Sequence, residues 1–160
     1  WFASDNLMYP TMLEELFNLL QQKQDIDYVY SAFEIGENGI NTHISSILQQ
    51  IWSKEKLNSY YFLGLCWLWR KELRLKCGEF QIEPCEDYDM TLRMTEAGGR
   101  FYFLDKNLGW FRRHQNSVTA NIRSEGDPDY WSKFVQEKSW KRKLSSHIHK
   151  EKVNIFCCSL

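Results

Sequence analysis

Three short polar clusters hold the residue types that chemistry needs: Ala3-Ser4-Asp5-Asn6, Cys85-Glu86-Asp87-Tyr88-Asp89 and Arg112-Arg113-His114-Gln115-Asn116-Ser117. Each sits at the edge of an apolar stretch, where a rigid scaffold would present it. Carboxylates can accept a proton or ligate a hard cation, an imidazole can join such a ligand set, and a guanidinium fork suits phosphate oxygens. Singly, each cluster also has an ordinary structural reading. Asp5-Asn6 suits a turn, Glu86 and Asp87 suit a helix N-terminus through its dipole, and Arg112-Arg113-His114 suits a solvated strand end.

The elements between the clusters can be read from periodicity. Leu13, Leu16, Phe17 and Leu20 fall at i, i+3, i+4 and i+7 after a Thr11-x-x-Glu14 capping-box pattern, which predicts a helix over 11–23. Residues 26–35, rich in Tyr, Val, Ile and Phe, predict a strand ending in a turn at 36–39. Residues 40–52 fit either a helix or a strand. The apolar run 60–69 predicts the central buried strand, followed by a short helix over 70–77 that Gly78 closes. Tyr88, Thr91, Leu92 and Thr95 share one face of a second helix, which Gly98-Gly99 stops. Two short strands are then expected at 100–105 and 108–113. Strands alternating with helices predict an α/β layered domain, with a helical stretch over 127–152 beyond it.

Composition narrows the class. The 160 residues are 16% aromatic and 26% charged, with eight Gly and three Pro, so neither a disordered nor a low-complexity chain is indicated. Five cysteines are an odd number without CxxC spacing, which argues against a zinc knuckle or disulfide scaffold and for a reducing, cytoplasmic setting. The apolar run 60–69 has about half the length that spans a bilayer. Charge is uneven: residues 127–160 hold seven Lys/Arg against four acids, a net +3, which leaves −4 of the overall −1 for the first 126 residues. This basic stretch lacks the Gly and aromatic interleaving of single-strand binders. It therefore reads as a solvated linker helix with no nucleic-acid partner, and its charge suits at most a peripheral membrane contact.

Taken in order, the clusters resemble a known arrangement. The run 86–98 (EDYDMTLRMTEAG), then Arg100-Phe-Tyr-Phe-Leu-Asp105, then Trp110-Phe-Arg-Arg-His114-Gln-Asn-Ser117-Val-Thr119, is similar to the C-terminal half of a family-two glycosyltransferase domain of the GT-A type. Upstream, Lys76-Cys-Gly78-Glu-Phe80 resembles the turn that precedes the family's acidic pair. Residues 1–13 resemble its metal-binding Asp-x-Asp segment. The likeness covers roughly residues 1–120. It implies an α/β, GT-A-like mixed sheet flanked by helices, with the N-terminal nucleotide-binding half absent. Residues 1–122 would then be the acceptor-side half of the domain, 123–152 a basic helical linker, and 153–160 an end strand or the start of a further domain.

The resemblance implies inverting transfer of a sugar from a nucleotide-diphosphate donor to a hydroxyl on a polysaccharide or glycoconjugate. Asp87 matches the general base and Glu86 the acceptor-binding acid, while Asp89 is expected to be a structural cap. Asp5 matches the metal-binding position, with His114 as a further ligand for Mg²⁺ or Mn²⁺. Arg112 and Arg113 would pair with the donor diphosphate.

The chain also departs from the pattern. Ser4-Asp5-Asn6 lacks one acidic ligand, and Gln81 stands where the family's turn ends in Asp. These departures favour an alternative, a non-catalytic carbohydrate- or protein-binding module with a degenerate glycosyltransferase fold. A metal-dependent hydrolase using Asp5, Asp87 and His114 would need water as acceptor, and the aromatic surroundings argue against it. His147-x-His149 lacks a third ligand nearby and reads as surface.

Overall fold

The structure, a computed structural model, describes residues 3–37, 43–46, 51–81, 85–117 and 133–138. Its frame is a mixed five-stranded sheet. Two long strands, β2 (Tyr28–Glu37) and β5 (Phe101–Arg113), run parallel from Tyr28 opposite Phe101 to Glu37 opposite Arg113. The short β1 (Leu7–Met8) lies antiparallel on the outer edge of β5, with Leu7 opposite Trp110. The other edge of β2 is shared by β3 (His43–Ser46), beside its end, and β4 (Trp67–Trp69), beside its start, both antiparallel.

The helices are α1 (Met12–Gln22), α2 (Lys54–Ser59), α3 (Lys71–Cys77) and α4 (Glu86–Glu96). Residues 133–138 form a further helical segment whose Val135 reaches the core. Because successive side chains of a strand point to opposite faces, β2 feeds two cores. Tyr28 and Tyr30 pack with Leu57, Leu73, Tyr88, Met90 and Met94, on the side of α2, α3 and α4. Val29 and Phe33 pack with Met12, Leu16 and Leu20 of α1. The α/β class and the sheet between helices agree with expectation.

Several local expectations are corrected. The stretch 60–69 is not the central strand, since only Trp67–Trp69 joins the ladder and does so at an edge of β2. Gly64 interrupts it: its φ is +71°, and a Cβ there would stand 1.9 Å from Cε1 of Phe33. The two strands expected at 100–105 and 108–113 are one strand, β5. The break between them survives as a slip in register, with Ser31 opposite Leu104 but Ala32 opposite Asn107. The Thr11 side chain makes no capping bond, and α1 turns Met12, Leu16 and Leu20 inward while Leu13 and Phe17 stay about half exposed. Strand β2 runs on through Gly36 and Glu37, where a turn was expected. The ambiguous 40–52 contains strand β3, and α2 beyond it starts from a Ser53 cap whose hydroxyl accepts the Lys56 amide. Of the expected helix over 127–152, residues 133–138 are helical and the rest lies outside the described residues, as do 153–160, His147, His149, Cys157 and Cys158.

Helix α4 is buried from Tyr88 to Met94 without a break. This costs least if its charges are paired. Asp89, 0% exposed, accepts from Arg93 Nε at 2.9 Å, and Arg93 also donates to the carbonyl of Cys77 at the end of α3. Asp89 is thus structural, though as a buried ion pair rather than a cap. Asp89→Asn should cost about 3–5 kcal/mol by leaving the guanidinium buried without its counter-charge, read as a lowered denaturation midpoint. A loss under about 1 kcal/mol would contradict the pairing. Gly64→Ala should cost at least about 2 kcal/mol, through both its positive φ and the Phe33 ring.

Candidate functional site

The sheet brings two of the sequence clusters together. Asp5 precedes β1 and His114 follows β5, and the antiparallel pairing of those strands sets them side by side: Asp5 Oδ2 lies 3.1 Å from His114 Nε2 across 109 positions of sequence. Both side chains are partly open to solvent, at 39% and 30%. Asn6 secures the same corner, since its Oδ1 accepts the backbone N–H of Arg112 at 3.1 Å. On β5 beside β1, Gly109 leaves room for Cys66: a Cβ there would meet Cys66 Sγ at 2.4 Å and, less tightly, the Leu7 carbonyl at 3.1 Å.

The neighbouring cations lie along the same strand. The Arg112 guanidinium, exposed, stands 5.8 Å from the centroid of the Trp110 ring, and Arg113 is half-buried. Trp110 itself is 1% exposed, and its indole N–H has no acceptor among the described residues. Glu34, opposite Trp110 in the ladder, accepts from the Tyr9 hydroxyl at 2.7 Å. Burial and that carboxylate together push the Tyr9 phenol up to about 12.

Could this corner hold a divalent cation? Two ligands at about 2.1 Å in adjacent positions of an octahedron stand about 3.0 Å apart, and Asp5 Oδ2 and His114 Nε2 are separated by 3.1 Å. The contact is itself a hydrogen bond between imidazole and carboxylate, an ion pair when the imidazole is protonated; a cation would have to displace that shared proton, and the donor types and the spacing are compatible with that exchange. No group of three or more His, Cys, Asp or Glu converges among the described residues, so the protein side of the shell would be this pair.

The second acidic cluster forms a separate neighbourhood at the N-terminus of α4. Asp87 Oδ1 accepts the Tyr88 amide at 2.7 Å, the Thr91 hydroxyl donates to the Asp87 carbonyl at 2.8 Å, and the Tyr88 hydroxyl donates to the Leu57 carbonyl at 2.6 Å. Burial pushes the Asp87 carboxyl up to about 6, and the charge of Glu86 beside it adds to the rise. The phenols of Tyr28 and Tyr61 are raised well above their usual value, chiefly by burial and then by the charge of Asp87. Burial and the same two acids push the Cys85 thiol up to about 12. Glu86 is half-buried and Gln81 exposed. Among the described residues no hydrogen bond or ion pair joins Asp87 or Glu86 to Asp5 or His114.

The sequence reading passed over Tyr9, Glu34, Tyr28 and Tyr61. Tyr28 and Tyr61 lie in apolar aromatic runs, where a phenol and a phenyl ring serve the core equally, so nothing local marks their hydroxyls.

The raised Asp87 sets a pH signature. The native carboxyl keeps its proton up to about 6 against 3.8 for the unconstrained group, so the folded state binds more protons in that window and loses stability as pH rises through it. Asp87→Asn should therefore stabilise the chain by about 2–3 kcal/mol above pH 6.5, with the gain fading towards pH 4. A destabilised or pH-independent variant would contradict the desolvated carboxylate.

No helix among the described residues is long and apolar enough to cross a membrane. Compared with known proteins, the chain matches no protein-family model and no curated protein.

Proposed function

We propose that this chain is the acceptor-side half of an inverting, hexosyltransferase-like GT-A glycosyltransferase domain of family two. It would move a sugar from a nucleotide-diphosphate donor to a hydroxyl on a polysaccharide or glycoconjugate. The observation that carries the reading is the Asp5–His114 pair: side chains 109 positions apart meet at 3.1 Å, and they are the two that the motif order assigns to one cation. Mg²⁺ or Mn²⁺ bound there would neutralise charge that builds on a departing diphosphate.

The chain's own residues supply the rest. An acceptor hydroxyl must lose its proton as its oxygen attacks the anomeric carbon, and Asp87 takes that proton. A carboxyl near 6 is ionised at neutral pH yet basic enough to do so. Glu86, adjacent and half-buried, hydrogen-bonds acceptor hydroxyls. Arg112, stacked beside Trp110, and Arg113 pair with diphosphate oxygens. A cytoplasmic setting is part of the proposal, supported by the unpaired state of Cys66, Cys77 and Cys85.

A second reading, a non-catalytic carbohydrate- or protein-binding module, is favoured by Ser4 in place of an acid and by Gln81 where the family's turn ends in Asp. One experiment separates the two. In the full-length native protein, assayed with Mn²⁺ and a panel of nucleotide sugars, Asp87→Asn should cut transfer by about 10²–10⁴-fold while donor affinity stays within about twofold. Unchanged turnover removes Asp87 as the base. Glycan binding with no transfer by the unsubstituted protein selects the module.

A further inference from the structure

Strand β1 is two residues long, with Leu7 opposite Trp110 and Met8 opposite Gly109, and it pairs only with β5. A ladder that short does little to hold itself in place. Yet β1 sets where Asp5 stands, because Asp5 lies two positions before it. Bonds at its two ends make up for the missing ladder. Ahead of β1, Asn6 Oδ1 accepts the Arg112 backbone N–H at 3.1 Å; just after it, the Tyr9 amide donates to the Leu108 carbonyl at 3.0 Å. Both of these reach only β5. The Tyr9 hydroxyl goes further: it donates to Glu34 Oε2 at 2.7 Å, and Glu34 lies on β2, on the far side of β5 in the order β1-β5-β2. Strand β2 is the firmest anchor the sheet offers, since it pairs with β3, β4 and β5. The Tyr9 carbonyl also accepts the Met12 amide at 2.9 Å, so the same residue ties the start of α1 to this point.

We propose that Tyr9 and Glu34 are positioning residues for the candidate cation corner: their hydrogen bond straps β1 to β2 and so keeps Asp5 against His114. They act through Asp5 rather than on the cation. With the strap in place the Asp5 carboxylate is held 3.1 Å from the imidazole, so a cation entering there meets two donors already gathered. Without it, β1 keeps only its short ladder and the two bonds to β5, and Asp5 spends part of its time away from His114. The effect on Mn²⁺ affinity rests on the reading of this corner as a cation site, but the Asp5–His114 contact itself can be followed with no metal present.

The test is ¹⁵N NMR of the histidine rings in the chain, with the His114 Nε2 signal assigned by its loss in His114→Ala and its uncoupled position marked by Asp5→Ala. Tyr9→Phe, which keeps the ring and removes the donor, should move that signal most of the way to the uncoupled position. Glu34→Ala should do the same from the other side, and the double variant should move it no further than either alone. Glu34→Gln, whose amide oxygen still accepts from the phenol, should keep the parent signal. Lys106→Ala, which breaks the Lys106–Glu15 contact between β5 and α1 but not the strap, should leave it in place. With Mn²⁺ alone, followed by its free-ion EPR signal, Tyr9→Phe should weaken binding by about three- to tenfold, the worth of one hydrogen bond. A His114 signal unmoved by Tyr9→Phe, or moved equally by Lys106→Ala, overturns the inference. Mn²⁺ bound by the parent with an unmoved signal rejects this inference alone, whereas a moved signal in a chain that binds no Mn²⁺ supports the strap and rejects the cation reading alone.

Discussion

The parallel ladder between β2 and β5 is the constraint from which the other arrangements follow. Tyr28 to Glu37 run alongside Phe101 to Arg113, and the alternation of β2 sends Tyr28 and Tyr30 to one face and Val29 to the other. One core gathers α2, α3 and α4, the other α1. The ladder also absorbs extra length in β5, since Leu104 and Asn107 stand opposite consecutive residues of β2. That slip lets one long strand carry Phe101 under α4 at one end and His114 against Asp5 at the other. Gly109 leaves room for Cys66 against β5, since a Cβ there would stand 2.4 Å from its sulfur.

Two carboxylates two residues apart on α4 meet opposite fates. Asp89 is fully buried but held by Arg93, so its charge is part of the structure that ties α4 to α3. The Asp87 carboxylate accepts from the Tyr88 backbone amide, and burial with the charge of Glu86 beside it pushes its carboxyl up to about 6. A group that is costly to ionise in the folded state is one that accepts a proton readily. The difference lies in the helix face each occupies: Asp89 points along i, i+4 to Arg93, while Asp87 faces the aromatic side of β2.

Much of this was legible before any coordinates. Periodicity located α1, α3 and α4 to within a residue or two, and the Tyr/Val-rich run marked β2. The contact between Asp5 and His114 comes from the pairing of β1 with β5, and no spacing rule would join positions 109 apart. What failed were judgements that depend on tertiary context. The run 60–69 is as apolar as a central strand should be, but Gly64 within it has a positive φ with the Phe33 ring packed over it, and only Trp67–Trp69 pair, at an edge of β2. Asp89 looked like a helix-terminal acid because the burial of α4 on all sides is set by α2, α3 and β2, not by its own sequence. The hydroxyls of Tyr28 and Tyr61 were invisible for the same reason.

The central proposal is that the corner where β1 meets the end of β5 takes a divalent cation between Asp5 and His114. Crystals of the protein soaked in Mn²⁺ and measured at the manganese absorption edge test it directly. The account predicts an anomalous peak within about 2.3 Å of both Asp5 Oδ2 and His114 Nε2, lost in His114→Ala. An ordered Asp5–His114 contact with no peak at a saturating concentration, or manganese bound only elsewhere, would contradict it.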